Sequence, residues 1–308
     1  MKIVFMGTPD FAVKPLEVLI EKYDVCLIVT QPDKEVGRKK EIKFSPVKEV
    51  ALKNNIDIFQ PSNIRNEYEE ILKYEPDLIV TCAYGQIIPK KLLDYPKYRC
   101  INIHASLLPK YRGGAPIHRA IINGEKETGI TIMYMDEKMD SGNILYQKKL
   151  DIDYLDDVGS LFDKLSILAR ETIDEFMPKF LEGDFTEITQ NDEDVTYAYN
   201  ISKEDELLSF DDTALNVYNK VRGLCPWPMS YAFLENKKVK IIKAEIGKSN
   251  KDGVSGEIIN VYKDSIGVKV KDGEILITYL QEEGKKKMDT KTYLNGVHED
   301  LIGKVFNK

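Results

Sequence analysis

The feature that most constrains this fold is the alternation, through the first half of the chain, of short apolar runs with stretches of helical spacing. Apolar runs at residues 2–6, 25–30, 78–82 and 100–104 have the length of strands. Between them, residues 11–21, 45–54 and 68–74 carry apolar side chains at helical intervals. Strand and helix alternating in this way is the pattern of a mostly parallel sheet covered by helices. Residues 129–135 and 144–149 read as a hairpin-like continuation of that sheet. A longer helix is expected over about 160–181, with Leu161, Leu165, Leu168, Ile173, Phe176 and Phe180 largely on one face. Pro178 lies inside that pattern and should kink the helix or end it early.

The texture then changes. Residues 183–206 are polar, acidic and poor in large aliphatics, and read as a linker. A helix is expected over about 213–222, followed by Pro226-Trp227-Pro228 and short segments at 239–246, 254–261, 266–270 and 275–280 with Gly- and Asn-containing turns between them. Short strands at that spacing predict a small β-barrel. The expected domains are therefore residues 1–189, a linker over 190–206, and a β-rich domain over 207–308.

With 43% hydrophobic residues in 308, both domains can bury a core. No run approaches the length of a membrane helix, and the first apolar run is too short for a signal peptide. Cys26, Cys82, Cys100 and Cys225 are scattered, without a C-x-x-C pair, so neither a disulfide framework nor a cysteine zinc site is expected. The chain is expected to be cytoplasmic. A net charge of −7 argues against bulk attraction to nucleic acid. A local basic surface remains open to it: Lys34, Arg38, Lys39, Lys40, Lys43 and Lys48 stand within one segment against only Glu35 and Glu41. By itself such a segment is more often a solvated loop.

The densest chemistry lies in Asn102-Ile103-His104-Ala105-Ser106-Leu107-Leu108-Pro109, continuing as Tyr111-Arg112-Gly113-Gly114-Ala115-Pro116. Alternation along a strand puts Asn102 and His104 on one face, at the carboxyl end of an apolar run where open α/β sheets bind ligands. An amide donor can hold the oxyanion of an acyl-transfer intermediate, and an imidazole can take a proton from an attacking amine. Asp140, in Asp136-Glu137-Lys138-Met139-Asp140-Ser141-Gly142, is the best partner carboxylate for the histidine, although a turn-capping role would also suit it. Neither dinucleotide nor nucleotide phosphate-loop fingerprints occur. No metal site is expected, since the three histidines show no ligand spacing. His118 and His298 read as surface residues.

The order and spacing of Asn102-x-His104-x-Ser106-Leu107-Leu108-Pro109-x-Tyr111-Arg112-Gly113 and Asp140-Ser141-Gly142 resemble the signature of the folate-dependent formyltransferases. Four further segments resemble the branch of that family whose acceptor is methionine on initiator tRNA: residues 3–13, residues 31–48, Ala83-Tyr84-Gly85-Gln86-Ile87-Ile88-Pro89, and Pro226-Trp227-Pro228-Met229. The resemblance implies a Rossmann-like, mostly parallel α/β domain with an OB-like C-terminal β-barrel. It implies a catalytic trio of Asn102, His104 and Asp140, with 10-formyltetrahydrofolate as donor and no metal. Asn102 and His104 would polarise the formyl carbonyl, and Asp140 would fix the histidine. Tyr84, Gly85, Gln86, Ile87 and Ile88, with Ser106, Leu107, Leu108 and Pro109, would line the folate pocket. Arg38, Lys39, Lys40 and Lys43 would enter the acceptor end of initiator methionyl-tRNA, and the barrel would follow its backbone. A monomer is expected.

Three alternatives compete. A formyltransferase for an amino sugar nucleotide or glycinamide ribonucleotide would share the trio, but is not expected to carry both the basic insertion and the barrel. A folate hydrolase, or the hydrolase half of a formyl-folate dehydrogenase, would replace the amine by water. A non-catalytic tRNA- or folate-binding protein is disfavoured by the intact trio.

Overall fold

The computed structural model describes residues 1–36, 41–298 and 300–307. The chain forms two compact units. One comprises residues 1–116, 127–151 and 162–199, the other 117–126, 152–161 and 200–308.

The first unit is built on strands β1 (Lys2–Gly7), β2 (Asp24–Val29), β5 (Asp57–Phe59), β6 (Leu78–Cys82), β7 (Cys100–His104), β8 (Glu127–Tyr134) and β9 (Ile144–Asp151), with β3 (Lys34–Val36) and β4 (Glu41–Lys43) forming a separate hairpin. Their spatial order is β5-β2-β1-β6-β7-β8-β9. β5, β2, β1, β6 and β7 run parallel, and β8 and β9 continue antiparallel. The parallel part is buried on both faces, as the unbroken apolar runs require: Ile3, Val4, Phe5 and Met6 have no exposed surface. Strand order reverses between β1 and β6, so the crevice at their carboxyl ends is where a ligand is expected. Gly7 ends β1 there, and a Cβ on it would lie 2.9 Å from the carbonyl oxygen of Cys82, so a glycine lets the two strand ends approach.

The helix Val158–Glu182 keeps the expected apolar face but does not break at Pro178. Proline removes one N–H, and here the loss falls in the last turn and a half. Packing holds the helix on past it: Phe176 stacks on Tyr146 at 5.7 Å, and Phe180 lies 5.3 Å from Phe185.

Residues 190–199, at the start of the expected linker, belong to the first unit. Arg112 N–H donates to Thr196 O, Ala198 N–H to Arg112 O and Ala115 N–H to Ala198 O, at 2.9, 2.7 and 2.9 Å. Gln190 and Ala198 are buried. Only these two members of the run are buried; residues 191–194, 196, 197 and 199 are exposed, so the run is both solvated and tied to the first unit by these bonds.

In the second unit, β10 (Ser230–Leu234), β11 (Lys237–Gly247), β12 (Ile258–Val261), β13 (Ile266–Val270), β14 (Gly273–Glu282), β15 (Met288–Asp289) and β16 (Phe306–Asn307) form an antiparallel sheet of order β12-β13-β14-β11-β10-β16. Its two ends meet. Ile258 N–H donates to Lys304 O and Phe306 N–H to Gly256 O, both at 2.8 Å, beside a bridge between Glu257 and Val305. That seam closes a small barrel around Ile241, Ile258, Val268, Ile277 and Leu280. His118 is half-buried rather than superficial: it meets the Trp227 ring edge-on at 6.0 Å, and burial holds its pKa below the usual histidine value. Burial also pushes the thiols of Cys82 and Cys100 well up, and that of Cys225 up to about 11.

Candidate active site

β7 is hydrogen-bonded between β6 and β8, with Asn102 opposite Thr81 and His104 opposite Thr131. The Thr81 hydroxyl lies 2.7 Å from Oδ1 of Asn102. A hydroxyl donating to that oxygen fixes the amide's orientation and reserves its N–H pair for another acceptor. His104 is 6% exposed, and its Nε2 lies 3.0 Å from the carbonyl oxygen of Tyr111. A carbonyl only accepts, so this contact assigns the proton to Nε2 and leaves the lone pair on Nδ1. Nδ1 faces Oδ2 of Asp140 at 3.7 Å. The carboxylate is held by the backbone N–H of Gly113, which donates to Oδ2 at 2.8 Å. The sequence-predicted trio is thus brought together at one strand end.

The loop after β7 is shaped by hydrogen bonds rather than by apolar packing alone. Ser106 Oγ donates to Lys110 O and Thr131 Oγ1 to Ser106 O, both at 2.6 Å. Leu108 N–H donates to Thr131 Oγ1 at 3.1 Å, and Gln147 Nε2 to Leu108 O at 2.9 Å. Tyr111 sits at φ +63 with its N–H donating to Thr196 Oγ1 at 2.9 Å. Gly113 sits at φ +123, and a Cβ there would lie 2.7 Å from Ala198 O, so this position requires glycine.

The expected folate-lining residues divide into two groups. In the loop after β6, Tyr84 and Ile88 are buried in the core, while Gly85 and Ile87 face outward, Ile87 at 65% exposure. Gln86 is occupied within the fold: its Oε1 accepts from Ile64 N–H at 2.8 Å and its Nε2 donates to Pro61 O at 3.2 Å. Gln31 Nε2 donates to Tyr84 O at 3.0 Å and shapes the same loop from below. In the loop after β7, Ser106 and Leu108 are buried, and Leu107 and Pro109 are half-buried. Of the expected lining residues, Gly85 and Ile87 are thus exposed and Leu107 and Pro109 half-buried.

Arg38, Lys39 and Lys40 lie outside the described residues. Lys43 is exposed on β4, directly opposite Lys34 on β3. Like charges at facing positions are unfavourable in a hairpin and gain from a polyanion. Lys48, in contrast, is paired: its ammonium donates to Asp33 Oδ2 at 2.5 Å and Gln60 Oε1 at 2.8 Å. Lys48 holds Asp33's carboxyl below the usual carboxylate range. Among the described residues, no three His, Cys, Asp or Glu side chains converge as metal ligands. None of their helices is long and apolar enough to cross a membrane.

Sequence reasoning missed Thr81, Thr131, Gln190 and Thr196. Each is an ordinary polar residue whose partner is remote in sequence, and no local pattern marks it.

Residues 1–176 match the family model described as formyl transferase, and residues 200–298 match that of the formyl transferase C-terminal domain. The chain is 46% identical over 309 residues to a methionyl-tRNA formyltransferase of Macrococcus caseolyticus, covering 100% of this chain and 99% of that protein. It is 47% identical over 306 residues to one of Staphylococcus aureus, covering 98% of each. Among solved structures it is similar to an N-formyltransferase from Helicobacter canadensis in complex with folinic acid and dTDP-3-aminofucose. The TM-score is 0.70 at 19% identity, over 90% of this chain and 98% of that one, a likeness of fold.

Proposed function

The chain belongs to the formyl transferase family, and from that premise we propose that Asn102, His104 and Asp140 carry the group transfer. Its reaction is formylation of methionyl-tRNA, the activity named for relatives that are 46–47% identical over nearly the whole chain. The donor is 10-formyltetrahydrofolate and the preferred acceptor is the initiator species. The chain works as a monomer in the cytoplasm. The observation that carries the catalytic reading is the pairing of a bare Nδ1 on His104 with Asp140 at 3.7 Å.

The folate donor supplies a formyl group attached to nitrogen. Outward-facing Gly85 and Ile87, with half-buried Leu107 and Pro109, suit the faces of its ring system. Asn102 donates an amide hydrogen to the formyl oxygen as that oxygen gains charge, with its own Oδ1 held by Thr81. His104 Nδ1 takes the proton released when the methionyl amine attacks, and Asp140 stabilises the imidazolium so formed. His104 then returns that proton to the departing nitrogen, and the ring is neutral again.

Lys34 and Lys43 support contact with the acceptor's phosphates. The amino-sugar alternative has only fold likeness behind it, at 19–22% identity.

The test compares formyl transfer from 10-formyltetrahydrofolate to methionine-charged initiator tRNA, methionine-charged elongator tRNA and free methionine, with His104→Ala in parallel. Strong preference for the initiator, lost in the variant, is the expected result. Equal use of free methionine, or an active His104→Ala enzyme, would overturn it.

A further inference from the structure

Gln190 is 7% exposed, and both ends of its side-chain amide are used. Oε1 accepts from Nε and Nη2 of Arg112 at 3.0 and 2.8 Å. Nε2 donates to the carbonyl oxygens of Asp140 and Gly142 at 2.9 and 2.8 Å. A primary amide has two hydrogens and two lone pairs, so its bonding capacity is filled. These partners lie 48 to 78 residues away in sequence.

Both segments that Gln190 grips border the reactive pair. The 140–142 turn is held in a demanding conformation. Asp140 sits at φ +50, where a side chain carries a cost, and a Cβ on Gly142 would lie 1.9 Å from Tyr134 O. Two amide hydrogens on the carbonyls of Asp140 and Gly142 keep that turn from relaxing. On the other side, Arg112 is 6% exposed. It stands between Tyr111, whose carbonyl takes the Nε2 proton of His104, and Gly113, whose N–H holds Asp140 Oδ2. Gln190 touches neither the imidazole nor the carboxylate.

The geometry points to Gln190 as a positioning residue that sets the approach of Asp140 to His104, by clamping the 140–142 turn to Arg112. This rests on the catalytic reading of His104 and Asp140. A glutamine that merely filled the fold would affect stability; one that sets this distance affects the proton-transfer step.

Two variants separate its two ends. Gln190→Ala removes every bond, whereas Gln190→Glu keeps an acceptor for Arg112 and loses both hydrogens that hold the turn. Each full-length protein is assayed over a range of donor concentrations at saturating methionyl-tRNA, from about pH 5.5 to 9, beside wild type and Asp140→Asn. Both Gln190 variants are expected to lower kcat roughly tenfold or more, with KM for the folate donor within about twofold. Their kcat–pH profiles depart from wild type, as that of Asp140→Asn does, because all three variants disturb the same carboxylate beside the imidazole. If Gln190→Ala does not fold, Gln190→Glu decides. A folded Gln190→Glu enzyme with wild-type kcat and pH profile, beside an impaired Asp140→Asn, overturns the positioning role alone. Full activity in Asp140→Asn overturns the catalytic reading and the inference with it.

Discussion

Oδ2 of Asp140 stands 3.7 Å from Nδ1 of His104 while the backbone N–H of Gly113 holds that same oxygen at 2.8 Å. The carboxylate is fixed by the main chain before the ring carries any charge. It stands beside the nitrogen that would receive a proton in the proposed reaction, at a distance where neutral imidazole makes no hydrogen bond and imidazolium gains Coulomb attraction.

Asp140→Asn keeps the shape and removes the charge. Partly exposed and screened, that attraction is worth about 2 to 4 kcal/mol, so kcat should fall on the order of 10²-fold. Single-turnover formylation measures this directly. A loss below about threefold would mean that Asp140 holds only the loop.

Asn102→Ala should cost on the order of 10²–10³ in kcat, as loss of one oxyanion donor does elsewhere. Thr81→Val leaves the amide in place but frees it to turn, and should cost only a few-fold. Equal effects from the two would contradict the view that Thr81 acts through Asn102.

The hairpin lysines and Lys48 should respond differently to loss of their charge. Lys34→Glu with Lys43→Glu is expected to raise KM for tRNA and to lower the slope of log affinity against log salt by roughly 1.4 to 1.8. Lys48→Ala should leave that slope nearly unchanged while lowering Tm, since its ammonium is committed to Asp33 and Gln60. Filter binding over a salt series and a thermal melt distinguish them.

In the second unit, Arg119 holds the Asp205 carboxyl down to about 2, and Asp205 also closes a capping box with Ser202. A depressed carboxylate stabilises above its unfolded value of about 3.9 and loses that contribution as pH falls through the folded value. The Tm difference between wild type and Arg119→Met should therefore be steady above about pH 5 and shrink between about pH 4 and 2. A gap that stayed constant down to pH 2 would show that Arg119 acts by packing alone.

Much of this was legible because it rests on short-range pattern. Strand ends, the shared face of Asn102 and His104, and the turn carrying Asp140 follow from alternation and glycine placement. Gln190 was not legible: Arg112, its partner, is 78 residues away, and Gln190 is a buried residue at the edge of a run that does face water. Pro178 misled for a related reason. Local propensity stops a helix there, but the aromatic contacts that carry it on, Phe176 with Tyr146 and Phe180 with Phe185, are tertiary. In the basic segment, charge counting treats Lys43 and Lys48 alike as positive charges, whereas the structure pairs Lys48 with Asp33 and Gln60 and leaves Lys43 exposed opposite Lys34.

The seam of the barrel has a consequence for how the protein is made. Residues 303–307, which join the sheet's two ends, are synthesised only after strands β10 through β15. Until those residues are in place, the second unit is an open sheet with unpaired backbone at Phe233 and Leu234 of β10 and along the outer edge of β12. Such edges recruit other strands, so the interval before closure is when the growing chain most needs a chaperone.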